Sequence, residues 1–216
     1  AGAVEATGHK IDSIEVQDGK LTPAPIKEIL ALHEDEHMVK PKVVFISDST
    51  EVGTVYRAKE LKELHRLCKE NNLYLYLDGA RLGSALCSPD NDLTLNDISS
   101  LTDVFYIGGT KNGALLGEAI VINNPELQEN FRRHLKQRGA LLAKGRILGV
   151  QFLELFKDDL FFDLAKHANE TAHKLARGIK ELGFEFLTDS TTNQIFPIFP
   201  NSLIEKLKEI YGFYMW

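Results

Sequence analysis

Cysteine is close to absent: Cys68 and Cys87 are the only two in 216 residues. So sparse a pair cannot frame a disulfide-stapled scaffold, and in helical surroundings it suits a reducing cytoplasm. Long apolar runs are missing as well. No stretch approaches the roughly 20 residues that a membrane-spanning helix needs, and no secretory signal opens the chain. Basic clusters are equally scarce. With 25 Lys and Arg against 31 Asp and Glu, the formal net charge is −6, so nucleic acid and anionic membrane are poor partners. Internal repeats and low-complexity tracts are absent too, which removes solenoids and disordered tails. What remains is a chain long enough to bury about 70% of its unfolded surface without staples.

Short apolar runs bounded by turn residues read as strands. Val43-Val44-Phe45-Ile46, Leu73-Tyr74-Leu75-Tyr76-Leu77, Val104-Phe105-Tyr106-Ile107 and Ala119-Ile120-Val121-Ile122 are of this kind. Ser13-Ile14-Glu15-Val16 alternates as a half-buried strand. Between them lie helical patterns. Thr22-Pro23 starts one that runs through Ile26, Ile29, Leu30 and Leu32, and residues 58–71 place Leu61, Leu64 and Leu67 on one face. Thr94 with Asp97 is a capping-box variant, and Asn124-Pro125 opens a further helix. From there to about residue 182 the pattern is helical, broken near Lys157-Asp158-Asp159. Phe184–Leu187 and Ile195–Phe199 read as short strands, the second an edge strand because of Pro197, and Ser202–Tyr211 as a closing helix.

Alternation of strand and helix up to about residue 125 implies an α/β fold with a doubly wound, mostly parallel sheet. Long helices and the start of a small α+β domain follow, which divides the chain into residues 1–135 and 136–216. The ends read as cut. Ala1 stands in place of an initiator methionine, and Tyr211–Trp216 stops in apolar sequence of the kind that starts a strand.

Two of the strand runs end in residues that carry chemistry. Asp78 closes one, inside Leu77-Asp78-Gly79-Ala80-Arg81; Lys111 follows the other, inside Gly108-Gly109-Thr110-Lys111-Asn112-Gly113. Ligands of open α/β sheets bind beyond the carboxyl ends of the strands. If the two runs are neighbours, an amine and a carboxylate meet there. A lysine that forms a Schiff base, with an aspartate on the ring nitrogen, is the protein's half of pyridoxal phosphate chemistry. The aspartate keeps the pyridine protonated, and Arg81 offers a planar fork of donors suited to a substrate carboxylate. Taken singly these residues carry little, since a lysine after a strand is ordinarily solvated surface and Asp-Gly ordinarily a plain turn.

Together and in this order, with 33 positions from Asp78 to Lys111, the two segments resemble the pyridoxal phosphate-dependent threonine aldolase and β-eliminating lyase family, of the aspartate aminotransferase-like fold (fold type I). Gln17-Asp18-Gly19-Lys20-Leu21-Thr22, Asp48-Ser49-Thr50-Glu51 and Thr192-Asn193 look like further family segments. The resemblance implies Lys111 as the catalytic, cofactor-bonded lysine and Asp78 as the ring-nitrogen partner. It implies Thr110 as a polar cofactor contact, with Arg81 and Glu51 as substrate contacts. The implied reaction is aldol cleavage of L-threonine or a related β-hydroxy amino acid to glycine and an aldehyde. β-Elimination and transamination use the same lysine and aspartate, so they stay open alternatives. Aldolases often carry histidine where Glu51 stands, so the base for the substrate hydroxyl stays open as well. The resemblance also implies a homodimer or homotetramer with its active sites between subunits. It places a ring-stacking histidine and a phosphate-binding loop upstream of Ala1.

A competing pattern is His33-Glu34-Asp35-Glu36-His37, which matches the zinc-protease motif if both histidines share a helical turn. Its two central residues are acidic, Pro41 follows closely, and no downstream ligand is evident, so no metal is expected. His65 and Cys68 read as core, and His167 and His173 as solvent-facing. The stripe Phe152, Leu155, Phe156, Leu160 and Phe161 reads as core or subunit interface, with the interface favoured.

Overall fold

In a computed structural model, which describes residues 2–215, four strands form one sheet flanked by helices. In chain order these are α1 (Gly2–Glu5), α2 (Pro23–Leu32), β1 (Val43–Ser47), α3 (Ala58–Glu70), β2 (Tyr74–Asp78), α4 (Leu82–Leu86) and α5 (Leu95–Leu101). After these come β3 (Val104–Gly108), β4 (Glu118–Ile122), α6 (Pro125–Gln128), α7 (Phe131–Gln137), α8 (Arg146–Leu155), α9 (Leu160–Glu181) and α10 (Asn201–Lys208).

Spatial strand order follows sequence order, β1-β2-β3-β4. The first three strands run parallel and β4 returns antiparallel against β3. This is the α/β sheet expected from the alternating pattern. The registers are Val43↔Tyr74 through Ser47↔Asp78 on one side of β2, and Tyr76↔Val104 and Leu77↔Phe105 on the other. Asp78 therefore sits at the carboxyl edge, between its partner Ser47 and the end of β3.

The pleat sorts side chains into two faces. Val44, Ile46, Leu75, Leu77, Phe105 and Ile107 point into a core that includes Leu61, Leu64 and Leu67 of α3 and Ile98 of α5. Each such aliphatic side chain gains about 1.5–3 kcal/mol by leaving water. The opposite face carries Val43, Phe45, Tyr76, Tyr106 and Ile120. It is open among the described residues: Phe45 is 52% exposed and Val43 56%. The strand of Asp78 is therefore buried on one side only, alternating where a fully buried run was expected.

Helix ends follow local chemistry. Thr94 Oγ1 accepts the Asp97 N–H while the Asp97 carboxylate accepts the Thr94 N–H, the reciprocal box read from sequence. Glu60 reaches back to the Arg57 N–H at 2.8 Å in the same way. Asn71 Nδ2 donates to the Leu67 carbonyl, and Asn72, at φ 55, turns the chain into β2. The break near Lys157 is present as well. Asp158 and Asp159 take left-handed backbone angles, and α9 starts after them.

Four expectations need correction. Ser13–Val16 forms no strand; it has the alternation but no neighbouring strand to take its backbone donors and acceptors. Phe184–Leu187 and Ile195–Phe199 reduce to a single bridge, Phe186↔Pro197, because Pro197 supplies no N–H to lengthen it. The zinc-motif helix does not exist. Helix α2 ends at Leu32, His33 caps it with Nδ1 2.8 Å from the Ile29 carbonyl, and His37 lies in an exposed turn against Asp35. His173 is half-buried rather than solvent-facing, and its Nε2 is buried without a hydrogen-bond partner. In the aromatic stripe, Phe161 and Leu155 are core residues, while Phe156 and Leu160 stay exposed. His65 and Cys68 are packed as expected, with His65 Nδ1 2.7 Å from the Leu101 carbonyl. No helix of the described residues is long and apolar enough to cross a membrane.

Candidate active site

The carboxyl ends of β2 and β3 are locked together by backbone. The Gly108 N–H donates to the Gly79 carbonyl at 2.8 Å. A Cβ on Gly79 would fall 1.9 Å from the Tyr106 carbonyl oxygen, and one on Gly108 would fall 2.2 Å from that of Ala80. Only glycine permits this approach. The loop carrying Asp78 and Arg81 and the loop carrying Thr110 and Lys111 therefore leave the sheet side by side.

Asp78 is half-buried. Its Oδ1 accepts the Ala80 N–H at 2.9 Å and the hydroxyl of Tyr106. Its Oδ2 has no partner among the described residues. Arg81 caps the short helix α4, half-buried, and its guanidinium makes no ion pair among the described residues.

Lys111 lies in a single 3-10 turn, Thr110–Asn112, just beyond β3. Its side chain is exposed and its amine has no carboxylate partner among the described residues. The turn is anchored on both sides. The Glu118 carboxylate accepts the Gly109 N–H at 2.6 Å and the Thr110 hydroxyl at 3.4 Å. Asn112, buried, donates through Nδ2 to the Phe161 carbonyl at 2.8 Å, which ties the turn to the start of α9. Gly113 leaves the turn at φ 104.

Glu51 stands beyond β1, on the same edge but one strand further out. It is exposed, and among the described residues no hydrogen bond or ion pair joins it to Asp78 or Lys111. Its loop is held by Thr50 and Thr54, whose hydroxyls lie 2.7 Å apart, and by the bond from Thr54 Oγ1 to the Asp18 carbonyl. Asp48, at the base of that loop, is fully buried, and its carboxylate accepts the Tyr56 N–H. Loss of water pushes its pKa up to about 7.

Behind the site, Ser84, Ser88, Asn169 and Thr191 carry no local signal in sequence, and Thr192-Asn193 was legible only through the family resemblance. Ser84 of α4 donates to Asn169 of α9 and to Asn193, and Asn169 Nδ2 returns a bond to the Ser84 carbonyl at 2.9 Å. Thr192 Oγ1 reaches the Gly53 carbonyl, and the hydroxyls of Ser88 and Thr191 lie 2.6 Å apart. These bonds draw residues 190–194 onto the loops behind Asp78 and Glu51. Serine, threonine and asparagine so far apart in sequence look like ordinary surface until the fold brings them together. Tyr106 was legible only as a strand residue.

The arrangement offers a half-satisfied carboxylate, an unpaired amine and an unpaired guanidinium along one sheet edge. That set suits a small zwitterionic or anionic ligand with a basic nitrogen.

Known proteins share both sequence and shape with this chain. A family model described as beta-eliminating lyase matches residues 1–201. The low specificity L-threonine aldolase of Pseudomonas aeruginosa is 38% identical over 208 residues, which cover 94% of this chain and 59% of that protein. The structure of Leishmania major threonine aldolase superposes with a TM-score of 0.96 at 52% identity, covering 99% of this chain and 62% of that one. An aspartate aminotransferase variant from Thermus thermophilus, 19% identical, shares the fold alone, with a TM-score of 0.56 over 69% of this chain and 40% of that one. The chain thus spans less than two thirds of the length of these relatives. By the match over residues 1–201, the chain belongs to the beta-eliminating lyase family.

Proposed function

We propose that this chain carries the catalytic lysine and the ring-nitrogen aspartate of a pyridoxal phosphate-dependent threonine aldolase. The substrate is L-threonine or a related β-hydroxy amino acid, and the products are glycine and an aldehyde. One observation carries the reading: Asp78 and Lys111 leave the carboxyl ends of two adjacent parallel strands, in a chain whose relatives are named threonine aldolases. The residues present fit the cofactor. Among the described residues, Asp78 has one carboxylate oxygen without a partner for a ring nitrogen, Lys111 an unpaired amine for an aldehyde, and Arg81 an unpaired guanidinium for a carboxylate.

When bound, pyridoxal phosphate supplies an electron sink for the charge left as the Cα–Cβ bond breaks. The chain's own residues do the rest. Asp78 would hold the proton on the ring nitrogen. Lys111 would hold the cofactor through its amine and would move protons at the substrate α-carbon. Arg81 binds the substrate carboxylate through two parallel hydrogen bonds, which orients the bond to be broken. Thr110, tied to Glu118, is the polar cofactor contact beside the lysine, and Glu51 the outlying substrate contact. In this reading residues 1–135 belong to the cofactor-binding large domain. Residues 136–216 form the connecting helices and the start of the small domain. The protein works in the cytoplasm as a homodimer or homotetramer with its sites between subunits.

The test is to supply purified protein with pyridoxal phosphate and L-threonine and to assay glycine and acetaldehyde. A visible absorbance band that borohydride removes reports the bond to Lys111. Lys111→Ala is expected to lose both band and turnover. Asp78→Asn is expected to keep the band and lose about 10²–10⁴-fold in rate, the usual scale for a proton-handling side chain. Ammonia with a keto acid in place of glycine and acetaldehyde would replace aldol cleavage by elimination, and a keto acid without ammonia would replace it by transamination. A band that survives Lys111→Ala would remove the lysine from its role.

A further inference from the structure

Among the described residues Tyr106 is the one side chain that bonds to Asp78, and the proposed reaction leaves it unassigned. It stands on the open face of β3 and ends a row of aromatic rings across three strands. Phe45 stacks on Tyr76 with centroids 5.2 Å apart and planes 9° from parallel, and Tyr76 meets Tyr106 at 6.4 Å. This row limits where the Tyr106 ring can lie. Its hydroxyl donates to Oδ1 of Asp78, the same oxygen that takes the Ala80 N–H.

That asymmetry matters for a carboxylate. The terminal torsion of an aspartate is broad and nearly two-fold, so an unrestrained side chain offers either oxygen over a wide arc. Two donors on a single oxygen, one from the loop after β2 and one from β3, define the plane of the group and leave the other oxygen to a ligand. A backbone N–H alone sets one direction; the phenol sets the second. We propose that Tyr106 is a positioning residue that holds Asp78 so that Oδ2 is the oxygen presented to the cofactor's ring nitrogen. The inference rests on the pyridoxal phosphate reading of the site. Burial, the bond to Asp78 and its negative charge all push ionisation of the phenol far up, so the group stays a donor.

Tyr106→Phe removes only the hydroxyl and keeps the ring in its row. Titration with pyridoxal phosphate, followed at the visible band, gives the dissociation constant of each variant. Tyr106→Phe is expected to keep the band and bind about tenfold more weakly, the scale of a lost hydrogen bond to a charged group. Tyr76→Phe, whose hydroxyl makes no bond to Asp78, is expected to bind as the wild type does. In an Asp78→Asn background the effect of Tyr106→Phe should vanish, because a residue that acts through Asp78 has nothing left to position. Wild-type affinity in Tyr106→Phe, or the same loss with and without Asp78, overturns the proposal. If Lys111→Ala and Asp78→Asn also leave the titration unchanged, the cofactor reading fails and takes this one with it. If those two respond and Tyr106→Phe does not, only the role of Tyr106 is lost.

A measurement without cofactor covers a Tyr106→Phe variant that does not fold. In protein labelled with 13C-tyrosine, the Tyr106 signal should stay protonated beyond the roughly pH 10 at which a free tyrosine ionises, and Asp78→Asn should bring its titration down. An unmoved Tyr106 signal would show that the bond is absent in solution.

Discussion

Asp48 shows what burial does to a single carboxyl. It is buried from water, the Tyr56 N–H is its one donor among the described residues, and its pKa is raised to about 7. An unfolded aspartate titrates near 3.9. Between about pH 4 and about pH 7 the folded chain therefore holds a proton that the unfolded chain has released. Stability should be fully present below that window and fall as pH rises through it, by up to about 4 kcal/mol from this group. Asp48→Asn, which cannot ionise, is expected to flatten the profile across the window, as read from urea midpoints at several pH values. Asn112 is a second case. Asn112→Ala removes the buried bond that ties the turn of Lys111 to α9 and should cost about 0.5–1.5 kcal/mol, seen as a lower urea midpoint at unchanged slope. Neither role was legible in sequence, because each depends on a partner that is remote along the chain.

At the scale of elements, the pairing of β2 with β3 is what makes a site. Gly79 and Gly108 each face a backbone carbonyl that a methyl group would strike. Backbone cannot yield as a side-chain tip can. Gly79→Ala and Gly108→Ala should each destabilise by at least about 3 kcal/mol, with the loss visible in thermal melts, while Gly149→Ala, with open space around it, should not. Helix starts at Thr22-Pro23, Thr94 and Asn124-Pro125 were legible because capping is decided within a few residues. The strand expected at Ser13–Val16 failed because strand formation needs a neighbour, and alternation alone cannot supply one. The histidine pattern after Leu32 failed for a related reason. Helix α2 buries Ile26 fully and leaves Leu32 68% exposed, so no apolar contact holds a further turn.

Across the whole molecule, the two sides of the sheet differ. One is closed by helices; the other leaves Val43, Phe45 and Ile120 in contact with solvent among the described residues. Contiguous apolar surface of this kind is uncommon on a free-standing chain. The chain is expected to bind an apolar fluorescent dye under native conditions. Phe45→Thr with Ile120→Thr should reduce that signal with no change in circular dichroism. Residues 190–194 show a second feature of this scale. Their hydroxyl and amide bonds to Gly53, Ser84 and Ser88 carry the far end of the chain to the loops around Asp78.

Local chemistry alone determined the four strands of the sheet and most of the helices, where most helices begin, and which lysine and aspartate stand at strand ends. These follow from capping, periodicity and turn residues that act over a few positions. Only tertiary structure decided that the two strands are parallel neighbours, that Tyr106 reaches Asp78, that Asp48 loses its water, and that one sheet face stays open. Each of those depends on which distant surfaces exclude solvent from one another, and no pattern within a single segment carries that information.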